Sequence, residues 1–246
     1  MTSEDRAPAG VVRVRAPNPS ALTLDGTNTY VAARWVVDPG PDDPAHLDAV
    51  LRAAPDGVEG IVLTHGHPDH DEGAPALAER AGGVPVLRPD GDGPAGPFTA
   101  IATPGHADDH VCLMLGRVCF TGDTVLGAGS VFVGYNGSSM TAYLDSLARL
   151  RALDIEVMCP GHGPFVWDPR ERIDLYVEHR LDRECRVLEA AAAGARTRDE
   201  LLDRAWSEVD LDVAPMLRYA AAATLDAHLE RLRERGALPE GFELAG

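Results

Sequence analysis

Residues 63–73 read LTHGHPDHDEG and place His65, His67, Asp69 and His70 within six positions, in a chain with 9 histidines in all. The apolar run just before and into it, residues 60–64 (GIVLT), reads as a buried strand. The four ligand-type residues therefore follow a strand and precede a helix, where α/β proteins bind their ligands. His65 and His67 are two apart and project the same way from extended backbone. Their imidazoles can chelate one ion. Asp69 and His70 come as the chain turns into the helix and can face a second point. A single zinc takes about four ligands, and a catalytic zinc keeps one position open. Two clustered pairs suggest two ions and predict more ligands elsewhere.

Other strand ends supply them. ATPGHADDH gives His106, CFTGDTV gives Asp123 and MCPGHGP gives His162. A glycine directly precedes each of the three, so a sharp turn is expected at each.

The rest of the chain supports this order of strand, turn and ligand. Residues 11–15 alternate like a strand, and residues 29–38 look like a hairpin turning near Ala33–Arg34. Helical spacing is expected over 44–54 and 72–82, and again over 139–152. Strands are expected near 84–88, 98–103, 110–115, 117–121 and 155–159. The character changes after Phe165. Asp168, Pro169 and Glu171 read as the N-cap, N1 and N3 of a long helix. Thr197 to Glu200 is a capping box for a short one. Pro215 opens a third, with Leu217, Ala221, Leu225, Leu229 and Leu232 on one face and Gly236 at its end. The expected organisation is a catalytic α/β domain over 1–166 and a small helical module over 167–246.

A chain of 246 residues, 45% hydrophobic and 25% charged, suits one such core plus a small module. No apolar run approaches the roughly 20 residues that span a bilayer. The first ten residues lack the basic and apolar regions of a signal peptide, so no membrane partner and a cytoplasmic location are expected. The net charge is −17, and all 22 basic residues are arginine. Proteins that grip phosphate backbones usually show a basic footprint, and no basic run is present. The charge sum favours a small-molecule or carrier-bound substrate, while a local arginine patch stays invisible in it. Cys112, Cys119, Cys159 and Cys185 are expected to be buried free thiols.

The pattern HxHxDH (His65, His67, Asp69, His70), then His106, Asp123 and His162, resembles the metallo-β-lactamase superfamily. Through NPSALTLDGTNTY, TPGHADDHVCL, FTGDTVLGAGS, YLDSLARL and PGHGP, followed by a helical tail, nearly the whole chain resembles the β-lactamase-like protein 2 branch. The resemblance implies a four-layer αββα fold with a C-terminal winged-helix-like module. It implies that His65, His67 and His106 hold one ion, that Asp69, His70 and His162 hold a second, and that Asp123 bridges them. Asp38, in VVDPG, would orient a ligand. The implied cofactor is two Zn²⁺, with iron or manganese also compatible with imidazole and carboxylate. Asp123 stands where the commonest true β-lactamases carry a cysteine, and Gly66 where glyoxalase II enzymes usually carry a histidine. Both alternatives are disfavoured.

The implied reaction is attack by a metal-bridging hydroxide, with Asp69 and Asp123 as catalytic carboxylates, on an ester or thioester of a small or carrier-bound acyl metabolite. The branch also includes endoribonucleases, which makes single-stranded RNA a second candidate. An iron-holding, non-hydrolytic protein is a third. Two places remain open between two roles. His110 either contacts substrate or is a buried histidine on the next strand. Tyr135 and Asn136 with Ser139 form either a substrate loop or an Asn-Gly turn with a serine helix cap. No oligomeric state is implied.

Overall fold

The first strands form a meander. β1 (Val11–Arg15) pairs antiparallel with β2 (Asn28–Ala32), and β2 with β3 (Trp35–Val37). The hairpin between β2 and β3 turns at Ala33 and Arg34, whose φ values of 48° and 64° are the left-handed pair of a type I′ turn. α1 (Pro44–Ala53) follows, with the Asp43 side chain accepting from the His46 backbone N–H at its start. β4 (Gly60–Val62) and β5 (Val86–Leu87) then add in parallel and complete a five-stranded sheet in the order β1-β2-β3-β4-β5. Two helices lie between these strands, α2 (Pro68–Asp71) and α3 (Ala74–Arg80). The sequence predicts one helix here. The chain breaks at Gly73, which passes so close to the 40–41 loop that a Cβ would lie 2.9 Å from the Pro41 carbonyl oxygen.

The second sheet runs β10-β9-β8-β7-β6. Its strands are β6 (Gly93–Ala95), β7 (Phe98–Ala102), β8 (Val111–Leu115), β9 (Val118–Gly122) and β10 (Val157–Pro160). β6 to β9 are antiparallel and β10 joins β9 in parallel. α4 (Met140–Arg151) connects β9 to β10. Sequence reading misses β6, because GPA carries none of the branched or aromatic residues that mark a strand.

Side-chain alternation decides which face meets what. Val37, Val62, Phe120 and Cys159 point between the sheets and form one core with Tyr30, Phe98 and Val111. Their neighbours Val36 and Ile61 point outward to α1 and α3, against Leu47, Val50 and Leu77. Cys119 and Met158 point outward from the second sheet to Tyr143, Leu147 and Leu150 of α4. Helix, sheet, sheet and helix are thus stacked in four layers, as expected. Cys185 departs from expectation: it is exposed, while the other three cysteines are buried.

The structure, a computed structural model, describes residues 6–134, 138–213 and 215–244. Among them no strand follows β10, and no helix is long and apolar enough to cross a membrane. The tail is helical: α5 (Pro169–Ala192), α6 (Arg198–Ala205) and α7 (Pro215–Glu234). The Thr197–Glu200 capping box forms as read, whereas Asp168 takes the cap position of α5 without a side-chain hydrogen bond. α5 belongs to two clusters. Ile173 and Tyr176 pack beneath the second sheet, and Val187 and Ala191 pack with α6 and α7.

The two sheets are tied together at one edge. Asn28 Nδ2 donates to the carbonyls of Pro160 (2.9 Å) and Gly163 (2.8 Å), and the Tyr30 hydroxyl donates to Pro160 O at 2.7 Å. Asn28→Ala removes a donor shared by two buried carbonyls. Chemical denaturation is expected to show a loss of about 1–3 kcal/mol.

Candidate metal centre

β7, β9 and β10 run in the same direction, since β8 reverses between β7 and β9 and β10 is parallel to β9. Their C-terminal ends share one edge, and the loop after β4 meets it from the other sheet. The four segments that carry HxHxDH, His106, Asp123 and His162 are brought together there. Three groups of donor atoms result: His65 with His67 and His106, Asp69 with His70 and His162, and His65 with His70 and Asp123.

Distances show two foci. His67 Nδ1 lies 2.9 Å from His65 Nε2 and 3.0 Å from His106 Nε2. Asp69 Oδ2 lies 3.4 Å from His70 Nε2 and 3.3 Å from His162 Nε2. Asp123 stands between them, with Oδ2 3.7 Å from His106 Nε2 and 3.4 Å from His162 Nε2, and Oδ1 3.4 Å from His70 Nε2. A tetrahedral ion with Zn–N of about 2.0–2.1 Å sets its ligand atoms roughly 3.3 Å apart. The donor set matches that spacing and chemistry.

Hydrogen bonds behind the cluster fix which nitrogen each ring presents. Asp38 is buried, with φ 50°, and accepts from Thr64 N (2.8 Å), Thr64 Oγ1 (2.7 Å) and His70 Nδ1 (2.9 Å). Because the Thr64 hydroxyl proton goes to Asp38, its oxygen accepts from His65 Nδ1 at 3.0 Å. His106 Nδ1 donates to Phe132 O at 2.9 Å, and His162 Nδ1 to Gly26 O at 3.4 Å. Four rings therefore turn Nε2 towards the centre. His70 Nε2 and Asp123 Oδ1 are buried and have no hydrogen-bond partner. A cation held there would satisfy both.

Charge divides the four histidines into two pairs. Burial pushes His65 and His106 below the ordinary histidine range, which keeps them neutral, the form that ligates. Burial also opposes charge on His70 and His162, but Asp123 and Asp69 outweigh it, holding His70 well above the usual range and His162 up to about 9. Against its own burial, Asp123 is held well below the carboxylate range by His162 and His70.

The remaining expected residues fall elsewhere. His110 is buried behind Asp123: its Nε2 accepts from the Asp123 backbone N–H at 3.1 Å, and its Nδ1 faces the hydroxyls of Thr103 (2.9 Å) and Thr124 (3.1 Å). Ser139 caps α4 by accepting from Ala142 N. Neither lines the cavity in front of the cluster. Tyr135 and Asn136 lie outside the described residues. Of the three glycines before ligands, Gly105 and Gly122 take positive φ, as expected. Gly161 does not; it is small because a Cβ would sit 2.5 Å from Asp123 Oδ1 and 2.6 Å from His70 Cε1. Sequence reading assigns no role to Thr64, nor to Thr27, whose hydroxyl donates to Asp69 Oδ2 at 3.2 Å. Thr27 stands within the NPSALTLDGTNTY motif, so the signal is present there without its meaning.

The family model of the metallo-β-lactamase superfamily matches residues 22–96 and 86–162. The chain belongs to this superfamily. It is 30% identical to the β-lactamase-like protein 2 homolog of Drosophila melanogaster, over 95% of this chain and 91% of that one. It is 28% identical to the atrochrysone carboxyl ACP thioesterase of Aspergillus fumigatus, over 96% and 84%. The crystal structure of a metallo-β-lactamase family protein from Thermus thermophilus superposes with a TM-score of 0.72 at 26% identity, over 93% of this chain and 94% of that one.

Asp38→Ala removes the acceptor that orients His70 and, through Thr64, His65. Metal affinity is expected to fall by about 10–100-fold with the fold intact, read by competition with a chromogenic chelator alongside circular dichroism.

Proposed function

We propose that this chain is a dinuclear zinc hydrolase of an ester or thioester, acting on a small or carrier-bound acyl metabolite. His65, His67 and His106 would hold one ion, Asp69, His70 and His162 the other, and Asp123 both. Ions bound there would activate water as a nucleophile at neutral pH and polarise the substrate's carbonyl oxygen. The chain's own residues do the rest. Asp69, its carboxylate steadied by Thr27 and open to the cavity, takes the proton that water gives up on attack. His110 and Asp38 hold Asp123 and His70 in place from behind. Attack forms the new carbon–oxygen bond and breaks the acyl–sulfur or acyl–oxygen bond, and the leaving thiolate or alkoxide takes the proton back from Asp69, giving a carboxylic acid and a thiol or alcohol.

One observation carries the choice of substrate. A cavity of about 760 Å³ opens from His67, Asp69, His106, Asp123 and His162, and its other walls are mostly apolar: Leu22, Leu24, Leu126, Val131, Phe132 and Val133 among them. Among the described residues no arginine lines it, and its only carboxylates are Asp69 and Asp123. A single-stranded RNA groove needs cations along the phosphates and aromatic platforms for the bases. An acyl group needs an apolar wall and a polar end, and this cavity has both. The thioesterase among the relatives supports the same side.

The test is direct. Metal-depleted protein is loaded with zinc and offered acyl thioesters and labelled single-stranded RNA in parallel. Thioester cleavage should require metal and vanish in Asp123→Ala while circular dichroism stays unchanged. Cleavage of RNA alone, falling steeply with salt, would replace the acyl reading with the phosphodiester one. Metal analysis of the isolated protein separates zinc from iron or manganese.

A further inference from the structure

α7 has two apolar faces. Ala221, Leu225, Leu229 and Leu232 repeat at helical spacing and pack into the core of the tail with α5 and α6. Met216, Tyr219, Ala220 and Ala223 repeat at the same period and line the cavity. This second stripe continues to Ala227, which is buried in the cluster beneath the second sheet. Leu217, which the sequence pattern assigns to the first stripe, lines the cavity instead.

The helix is seated closely. Gly134 has φ +124°, and a Cβ there would lie 2.0 Å from the Ala223 carbonyl oxygen. The α7 backbone thus rests on the segment that includes Phe132, whose carbonyl holds His106. At the mouth, Leu22, Met216 and Tyr219 are 37%, 49% and 57% exposed, an apolar rim on both sides. Further along the helix, alanines at 220 and 223 replace large side chains and leave the room behind that rim. The space far exceeds what an acetyl group fills.

We propose that α7 is the acyl-measuring wall of this hydrolase, and that the acyl group it accepts is bulky, uncharged and aliphatic or aromatic. That group lies against Met216, Leu217, Ala220 and Ala223, with its carbonyl at the end of the cavity that the cluster closes. The proposal rests on the ester or thioester reading above. In an apolar pocket one methylene changes selectivity by roughly 10–200-fold, so a wall residue that adds or removes several carbons should reset the preferred length.

The experiment uses zinc-loaded full-length protein, with Ala220→Phe and Leu217→Ala. kcat/KM is measured for N-acetylcysteamine thioesters from acetyl to dodecanoyl and for a naphthoyl thioester. Calorimetry follows binding of the matching free carboxylic acids. Wild type should prefer the large acyl groups over acetyl by at least about tenfold. Ala220→Phe should lower the ratio of large-group to acetyl kcat/KM by about tenfold or more. Leu217→Ala, a truncation at a partly exposed site, should move the optimum towards larger groups, and acid binding should follow the same order. If both variants keep the wild-type length profile, or scale every substrate equally, while thioesters are still cleaved, the α7 assignment is overturned and the hydrolase reading stands. If no thioester is cleaved but long acids bind and Ala220→Phe weakens them, the apolar wall stands and the hydrolase reading falls.

Discussion

Asp38 is the constraint on which the centre depends. It sits at a strand end in a left-handed conformation, fully inside the protein, and a carboxylate there must be saturated with hydrogen bonds. Thr64 and His70 supply three donors. The same bonds settle the orientation of two imidazoles at once, because Thr64 can give its single proton to only one partner. His65 must then donate to Thr64 and His70 to Asp38, and both turn their Nε2 atoms to the same side. A buried acid that contributes no donor atom to the cluster thereby sets the geometry of residues from both triads.

Much of this was legible in the sequence because it is local. HxHxDH lies within one loop, and the hairpin at Ala33–Arg34, the Thr197 capping box and the alternation of strands and helices are each carried by a few neighbouring residues. Gly105 and Gly122 announce their turns for the same reason. What stayed hidden is long-range. Thr64, Thr27 and Asn28 do their work across 26 to 135 positions, through partners that no spacing rule identifies. Gly161 reads as a turn residue, and its real constraint is the space taken by Asp123 and His70. β6 lacks strand-forming residues and exists because β7 offers it an edge. The helix expected over 72–82 forms as α3, and the short α2 before it is kept separate at Gly73, where the 40–41 loop comes close, which is again a contact across the fold.

The net charge shows how a global number and a local one differ. A sum of −17 disfavours polyanions only on average. Most of the paired arginines lie on the surface, against carboxylates such as Asp92, Asp154 and Asp174. Such pairs contribute little to stability. Their position matters more here than their strength, because among the described residues no arginine lines the cavity. The absence of a cation there is a property of the cavity wall itself, separate from the charge of the outer surface.

α7 makes the helical tail part of the site. A helix that served only the tail would need one apolar stripe, and α7 carries two at nearly the same period. The stripe through Leu225 and Leu229 secures it to α5 and α6. The other reaches the cavity at one end and the second sheet's outer core, through Ala227, at the other. Because the contact at Gly134 is backbone against backbone, the helix cannot move inward without disturbing the segment whose Phe132 carbonyl orients His106. The inner limit of the wall is thus set by a segment that also serves the cluster. Its depth is set by side chains alone, at Ala220, Ala223 and Leu217. If α7 measures the acyl group as proposed, the size of the group accepted can change without moving the residues that perform the chemistry.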